Sequence, residues 1–195
     1  MLIYVCKPLL MPVLGVILWF NKNKINQNLF YSIAVALLFA FFGDVFLIFE
    51  SDLFLFGLLS FLITHVIYIL IFFKGIEFKM NLKFITVLIG FILFYLILIQ
   101  FLFSYLNELL IPVCIYGLAL ILMGFGAFLR APNLGYKSVL FGALLFILSD
   151  SILAVNQFIY SSSLKNAHVF VILLYVLAQY FIVQGLLKKS SRIEI

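Results

Sequence analysis

Apolar residues run along this chain in blocks of about twenty, too long for strands and without the alternation of a half-buried sheet. Seven such blocks are predicted as helices, at about 3–20, 29–49, 53–73, 82–103, 109–129, 137–157 and 167–187. Each matches the ~20 residues that a helix needs to cross a ~30 Å hydrocarbon core. The connectors between them are short and polar. NKNKINQN, KGIEFKMN and RAPNLGYK are basic or mixed, ESD is acidic, and SYLNE and YSSSLKNA are nearly neutral.

Composition closes the choice of class. Of 195 residues, 67% are hydrophobic and only 10% are charged, against about 25% charged in an ordinary soluble domain. No soluble fold of this size hides that much apolar surface. The prediction is an all-α, polytopic membrane helix bundle in which lipid takes the place of a core. Residues 1–195 read as one integral membrane domain, with no linker or low-complexity tail. The first block could pass for a secretory signal. It lacks a small-x-small cleavage site and its stronger positive flank follows it, so a retained span is expected.

The net charge of +5 changes the picture only through where it lies. Lys22, Lys24, Lys74, Lys79, Lys83, Arg130, Lys137, Lys188, Lys189 and Arg192 fall on one side of the predicted bundle, and only Lys7 and Lys165 on the other. Such asymmetry sets orientation and is no nucleic-acid footprint. It predicts a multi-pass protein, of a bacterial inner membrane, with its N-terminus outside and its C-terminus in the cytosol. Cys6 and Cys114 lie in apolar stretches and form no motif, which reads as packing.

The chemistry lies in the few polar residues placed inside spans: Lys7, Asp44, His65 and Asp150, with Tyr68, Asn156, Tyr175 and Gln179. A charge in the bilayer costs about 2.5–3.5 kcal/mol on insertion scales, so these residues are expected to face the bundle interior or a watery cavity. At ~1.5 Å per residue, Asp44 lies roughly 8 Å and Asp150 roughly 10 Å inside the outer ends of their spans. Lys7, His65, Tyr175 and Gln179 fall between roughly 5 and 18 Å on the same count. They share one depth band in the outer half of the membrane.

Two carboxyls at one depth have a chemical use. Desolvation favours the neutral acid and a nearby cation favours the anion. In unequal surroundings one can donate a proton while the other stays charged. Burial alone leaves bland alternatives standing: Asp44 as a structural partner of Lys7, His65 as a packing histidine, Tyr68 and Tyr175 as interface anchors, Gln179 and Asn156 as stitches between helices. Glu50, Asp52, Glu77 and Glu108 read as solvated loop charges. LLFAFFGDVF and LLFILSDSIL, each closing a span, are also compatible with an internal parallel duplication. No HExxH, GxSxG or phosphate-binding glycine loop is present, and two histidines make a poor dedicated metal site. Neither a metal nor a cofactor is expected.

Five short motifs occur in order along nearly the whole chain. They are Lys7-Pro8-Leu9, Gly43-Asp44, Phe61-x-x-x-His65-x-x-Tyr68, Gly142-Ala143-x-x-Phe146-x-x-Ser149-Asp150 and Tyr175-x-x-Ala178-Gln179. In these the chain resembles the YhhN family of lysoplasmalogenase-like membrane proteins. The resemblance implies a hydrolase that cleaves the vinyl ether bond of lysoplasmalogens to a fatty aldehyde and a glycerophospho-ethanolamine or -choline. It implies that Asp44 and Asp150 carry the catalysis. Family members usually have a further span before the Lys-Pro segment, giving eight helices; here the chain starts almost at Lys7.

Vinyl ether hydrolysis begins with protonation of the alkene carbon, and water traps the resulting oxocarbenium ion. That chemistry needs one protonated acid and one anion. Asp150 as acid and Asp44, near Lys7, as base or stabiliser fits, as does the reverse. Lys7, His65, Tyr68, Asn156, Tyr175 and Gln179 are then expected to hold the head group and water. The expected partners are a lysophospholipid or ether-lipid substrate and membrane lipids, with no nucleic acid. The rival reading is a proton-coupled small-molecule or lipid transporter, since intramembrane Asp, His and Lys also mark ion pathways. A non-catalytic lipid-binding protein is a third.

Overall fold

Helix after helix forms where the apolar blocks lie. The structure, a computed structural model, describes residues 2–49, 53–74, 76, 80–130, 135–160, 162 and 165–190, with the side chains of 2–8, 165–166 and 189–190 excepted. Among them are seven α-helices: α1 (Leu2–Phe20), α2 (Gln27–Phe46), α3 (Phe54–Phe73), α4 (Leu82–Leu106), α5 (Leu110–Leu129), α6 (Tyr136–Phe158) and α7 (Lys165–Ser190). All seven agree with the predicted spans to within a few residues. Glu50, Asp52, Glu77 and the Lys7 side chain lie outside the described residues.

Local chemistry sets the helix ends. Asn26 caps α2 by accepting from the Leu29 amide at 2.8 Å, and Asn81 caps α4 by accepting from the Phe84 amide at 2.8 Å. Each satisfies an amide that the first helical turn leaves open. Five stretches are long and apolar enough to cross a membrane: Gln27–Phe49, Phe54–Phe73, Leu82–Leu129, Tyr136–Phe158 and Ala167–Lys188. Leu82–Leu129, at 48 residues, is twice what one crossing needs. It breaks at Asn107, whose φ of 42° ends α4, and α5 packs back along α4. The chain is thus a multi-pass helical membrane protein.

Neighbour contacts close a ring in the order α1, α2, α3, α5, α6, α7 and back to α1, with α4 lying outside against α5 and α6. Of α4 only Leu102 and Leu106 are buried, so lipid rather than protein surrounds most of it. The inward face of α3 reads Gly57, Ser60, Phe61, Thr64, His65, Tyr68 and Phe72, the i, i+3, i+4, i+7 spacing of one helical stripe. In water such a stripe would be apolar. Here it carries the polar side chains, because the outside solvent is hydrocarbon.

Small residues bring the helices together. The Thr64 hydroxyl donates to the Ala36 carbonyl at 3.2 Å, tying α3 to α2, and Ser149 donates to the Val171 carbonyl at 2.9 Å, tying α6 to α7. At Gly142 a Cβ would lie 2.7 Å from the Ala178 carbonyl oxygen, so α6 and α7 touch backbone to backbone there. Lys22, Lys24, Lys74, Lys83, Arg130, Lys137 and Lys188 mark one end of the bundle, here the basic end. Arg130 closes α5 at that end, 5% exposed and 5.3 Å over the Phe72 ring. Its guanidinium has no hydrogen-bond partner among the described residues, and burial pushes its pKa down to about 10.

Candidate functional site

The ring interior gathers polar side chains from five helices at one level. Asp44 comes from α2, His65 from α3, Tyr116 from α5, Asp150 from α6 and Tyr175 from α7. Asp44 and His65 are fully buried and Asp150 is 9% exposed.

Each carboxylate holds a phenol. Tyr175 donates to Asp44 Oδ2 at 2.9 Å, and Tyr116 donates to Asp150 Oδ2. The Tyr116 hydroxyl also lies 3.1 Å from His65 Nε2, which is itself 3.5 Å from Asp150 Oδ2. The two halves interact: each of the two phenols is within electrostatic range of both carboxylates. Between them stand aromatic rings. Phe61 and Phe146 meet Tyr175 edge-on at 5.8 and 5.5 Å, and Phe146 meets His65 edge-on at 4.8 Å. This wall excludes water and fixes the carboxylates in a medium where electrostatic interactions are strong.

Asp150 reaches open space, whereas Asp44 is fully buried among the described residues. A cavity of about 50 Å³ is lined by Asp150 and Tyr116 together with Leu47, Phe54, Leu58, Phe61, Val113, Leu153, Ala154, Gln157 and Phe158. That is room for several waters, or for a small piece of an apolar chain. Asp150, Leu153, Ala154 and Gln157 follow the i, i+3, i+4, i+7 rule, so one stripe of α6 forms a wall. The lining comes from Leu47, just after α2, from the last turns of α6 and from the first turns of α3 and α5. The cavity therefore opens at the end opposite the basic one. A YhhN family profile matches residues 2–186 of the chain.

The chain belongs to the YhhN family. Family membership brings a lysoplasmalogenase-like hydrolase as the activity at family level. No curated protein and no solved structure matches the chain.

Within this YhhN bundle the residues singled out from sequence whose side chains are described divide into three groups. Asp44, His65, Asp150 and Tyr175 meet in the cluster. Tyr68 and Gln179 pair with each other, the Tyr68 hydroxyl donating to Gln179 Oε1 at 2.6 Å, fully buried and one turn closer to the basic end than His65 and Tyr175. Asn156 stands two turns beyond Asp150 on α6 and reaches His168 Nε2 at 3.4 Å instead of the carboxylates. The Lys7 side chain lies outside the described residues. No group of three or more His, Cys, Asp or Glu among the described residues is placed to hold a metal.

Tyr116 and Gln157 belong to the site and were not singled out from sequence. Tyr116 had a usable signal. Six residues into α5, it lies about 9 Å from the helix start at ~1.5 Å per residue, the same depth band as Asp150.

Proposed function

We propose that this protein hydrolyses the vinyl ether bond of a single-chain ether lysophospholipid, releasing a fatty aldehyde and a glycerophospho-head group. The observation that carries the reading is the pair of carboxylates, each bound by a phenol, with Asp150 facing an apolar cavity. Asp150 is the acid that delivers a proton to the alkene carbon. Asp44, behind the aromatic wall, stays charged and stabilises the oxocarbenium ion across a low-dielectric interior. The cavity's size suits the enol ether and the first carbons of one tail, the rest of the chain remaining in lipid. With the basic end in the cytosol by the positive-inside rule, the cavity opens to the other leaflet.

Closed packing towards the basic end supports a dead-ended site over a transport path. There Tyr68, Phe72, Met123, Ile182 and Leu186, none more than 1% exposed, fill the interior.

Purified protein in lipid nanodiscs, given a lysoplasmalogen, is expected to release aldehyde. Asp150→Asn and Asp44→Asn should each slow release by ~10²–10⁴-fold, the range for general acid–base groups. No aldehyde from the wild type, or full activity in both variants, refutes the reading. Lipid accumulation in sealed vesicles without aldehyde makes the protein a transporter.

A further inference from the structure

A hydrogen-bonded line of three side chains ends on the cavity carboxylate. His65 Nε2 lies 3.1 Å from the Tyr116 hydroxyl, and that hydroxyl donates to Asp150 Oδ2. His65 is fully buried, and its Nδ1 has no hydrogen-bond partner among the described residues. The Phe146 ring covers it edge-on at 4.8 Å. The histidine Nε2 lies 3.5 Å from Asp150 Oδ2, longer than a hydrogen bond, so the shorter route from the histidine to the carboxylate runs through the Tyr116 hydroxyl. Packing alone would not call for this arrangement, since a phenylalanine at 116 would fill the same space without a bridging oxygen.

We propose that Tyr116 is a proton relay between His65 and Asp150, with His65 as the internal proton store. The inference rests on the hydrolase reading above. In the loaded state His65 is an imidazolium and Asp150 a carboxylate. The Nε2 proton moves to the Tyr116 oxygen as the phenolic proton moves to Asp150 Oδ2, leaving neutral imidazole and a neutral acid. Asp150 then gives that proton to the alkene carbon, whose π electrons form the new C–H bond and leave the oxocarbenium ion. Water adds to the cation and loses one proton to the Asp150 carboxylate. The same line carries that proton back to His65. One proton enters carbon and one leaves water, so the site ends as it began. The hemiacetal collapses as its hydroxyl proton passes to the departing glycerol oxygen and the C–O bond breaks.

Tyr116 and His65 act through Asp150 and are positioning residues. Asp44 and Tyr175 form the other hydrogen-bonded pair and take no part in the line. Asp150 thus has a histidine behind its phenol and the cavity in front of it.

The test uses the full chain in nanodiscs with a lysoplasmalogen, comparing wild type, Tyr116→Phe, His65→Gln and the double variant. Each single variant is expected to lower kcat by ~10²-fold or more with little change in KM. The double variant is expected to fall no further than the weaker single, because one broken link already cuts the line. The rate in mixed light and heavy water should curve with deuterium fraction in the wild type, where several protons move together, and become linear in Tyr116→Phe. If Tyr116→Phe does not fold, His65→Gln carries the same isotope test.

Tyr116→Phe within threefold of wild-type kcat, or single losses that multiply in the double variant, overturns the relay and leaves the hydrolase standing. A wild type without turnover overturns both.

Discussion

Adding one methyl group at Gly142 should loosen the interface between α6 and α7, which carry Asp150 and Tyr175 of the site. Gly142 is buried on α6 against α7. A Cβ there would sit 2.7 Å from the Ala178 carbonyl oxygen and 2.9 Å from both the Ile182 amide nitrogen and its Cγ1. Two of the three atoms are backbone and cannot rotate away. Optimal carbon contacts are ~3.5–4.0 Å, so the helices must part by roughly 0.5–1 Å at this level. Overpacking of this kind costs about 1–3 kcal/mol. For a chain of this length each kcal/mol lowers Tm by ~2–4 °C, which predicts a fall of roughly 2–12 °C for Gly142→Ala. Asp150 stands eight residues further along α6, and Tyr175 and Gln179 flank the contact on α7, so turnover should fall too. Gly90 is the control: nothing lies within 4 Å of its added Cβ. There alanine should stabilise by ~0.5–1 kcal/mol, because glycine is the weaker helix former. Thermal unfolding in detergent, followed by circular dichroism, reads both. An unchanged Tm in Gly142→Ala, or equal losses at Gly90 and Gly142, refutes the backbone-contact argument.

Two further predictions concern other parts of the bundle. Burial lowers the Arg130 pKa from its ordinary value to about 10, so the charged form is disfavoured by about 3 kcal/mol at neutral pH. A lowered base carries this cost at every pH below about 10 and is relieved only above it. No stability change from Arg130 is therefore expected between pH 5 and 9, and Arg130→Met should raise Tm by a few degrees after loss of the ~0.5–2 kcal/mol contact with Phe72; a lower Tm counts against it. Leu153→Trp fills the cavity in front of Asp150 and should raise KM at least tenfold while leaving Tm within 2 °C; unchanged kinetics would place the lipid elsewhere.

What was legible in the sequence is depth, and what was not is azimuth. Helical rise alone put Lys7, Asp44, His65, Asp150, Tyr175 and Gln179 in one layer; the structure joins Asp44, His65, Asp150 and Tyr175, pairs Gln179 with Tyr68 one turn away, and does not describe the Lys7 side chain. All seven helices followed from block length to within a few residues, whereas the caps Asn26 and Asn81 emerged only from the structure. The facing of each residue could not be read the same way. In a soluble helix the apolar stripe marks the inner face, but in lipid both faces are apolar. Leu144 and Leu148 face outward at 46% and 48% exposure while Phe146 and Ile147 face inward, and no periodicity of residue type separates them. Asn156 shows the consequence: it carries the right chemistry, yet it lies two turns along α6 and turns towards His168. Tyr116 shows the converse: its depth matches that of Asp150, but depth alone does not say that its hydroxyl faces the carboxylate.

The central claim is that a buried aspartic acid protonates an enol ether carbon. It is tested most directly by running the reaction in heavy water and reducing the aldehyde as it forms. Carbon protonation predicts one deuterium on the carbon next to the former carbonyl in every product molecule, with Asp150→Asn slowing its appearance by ~10²–10⁴-fold and a saturated ether analogue left intact. Aldehyde without that deuterium, or cleavage of the saturated analogue at a similar rate, would contradict the account.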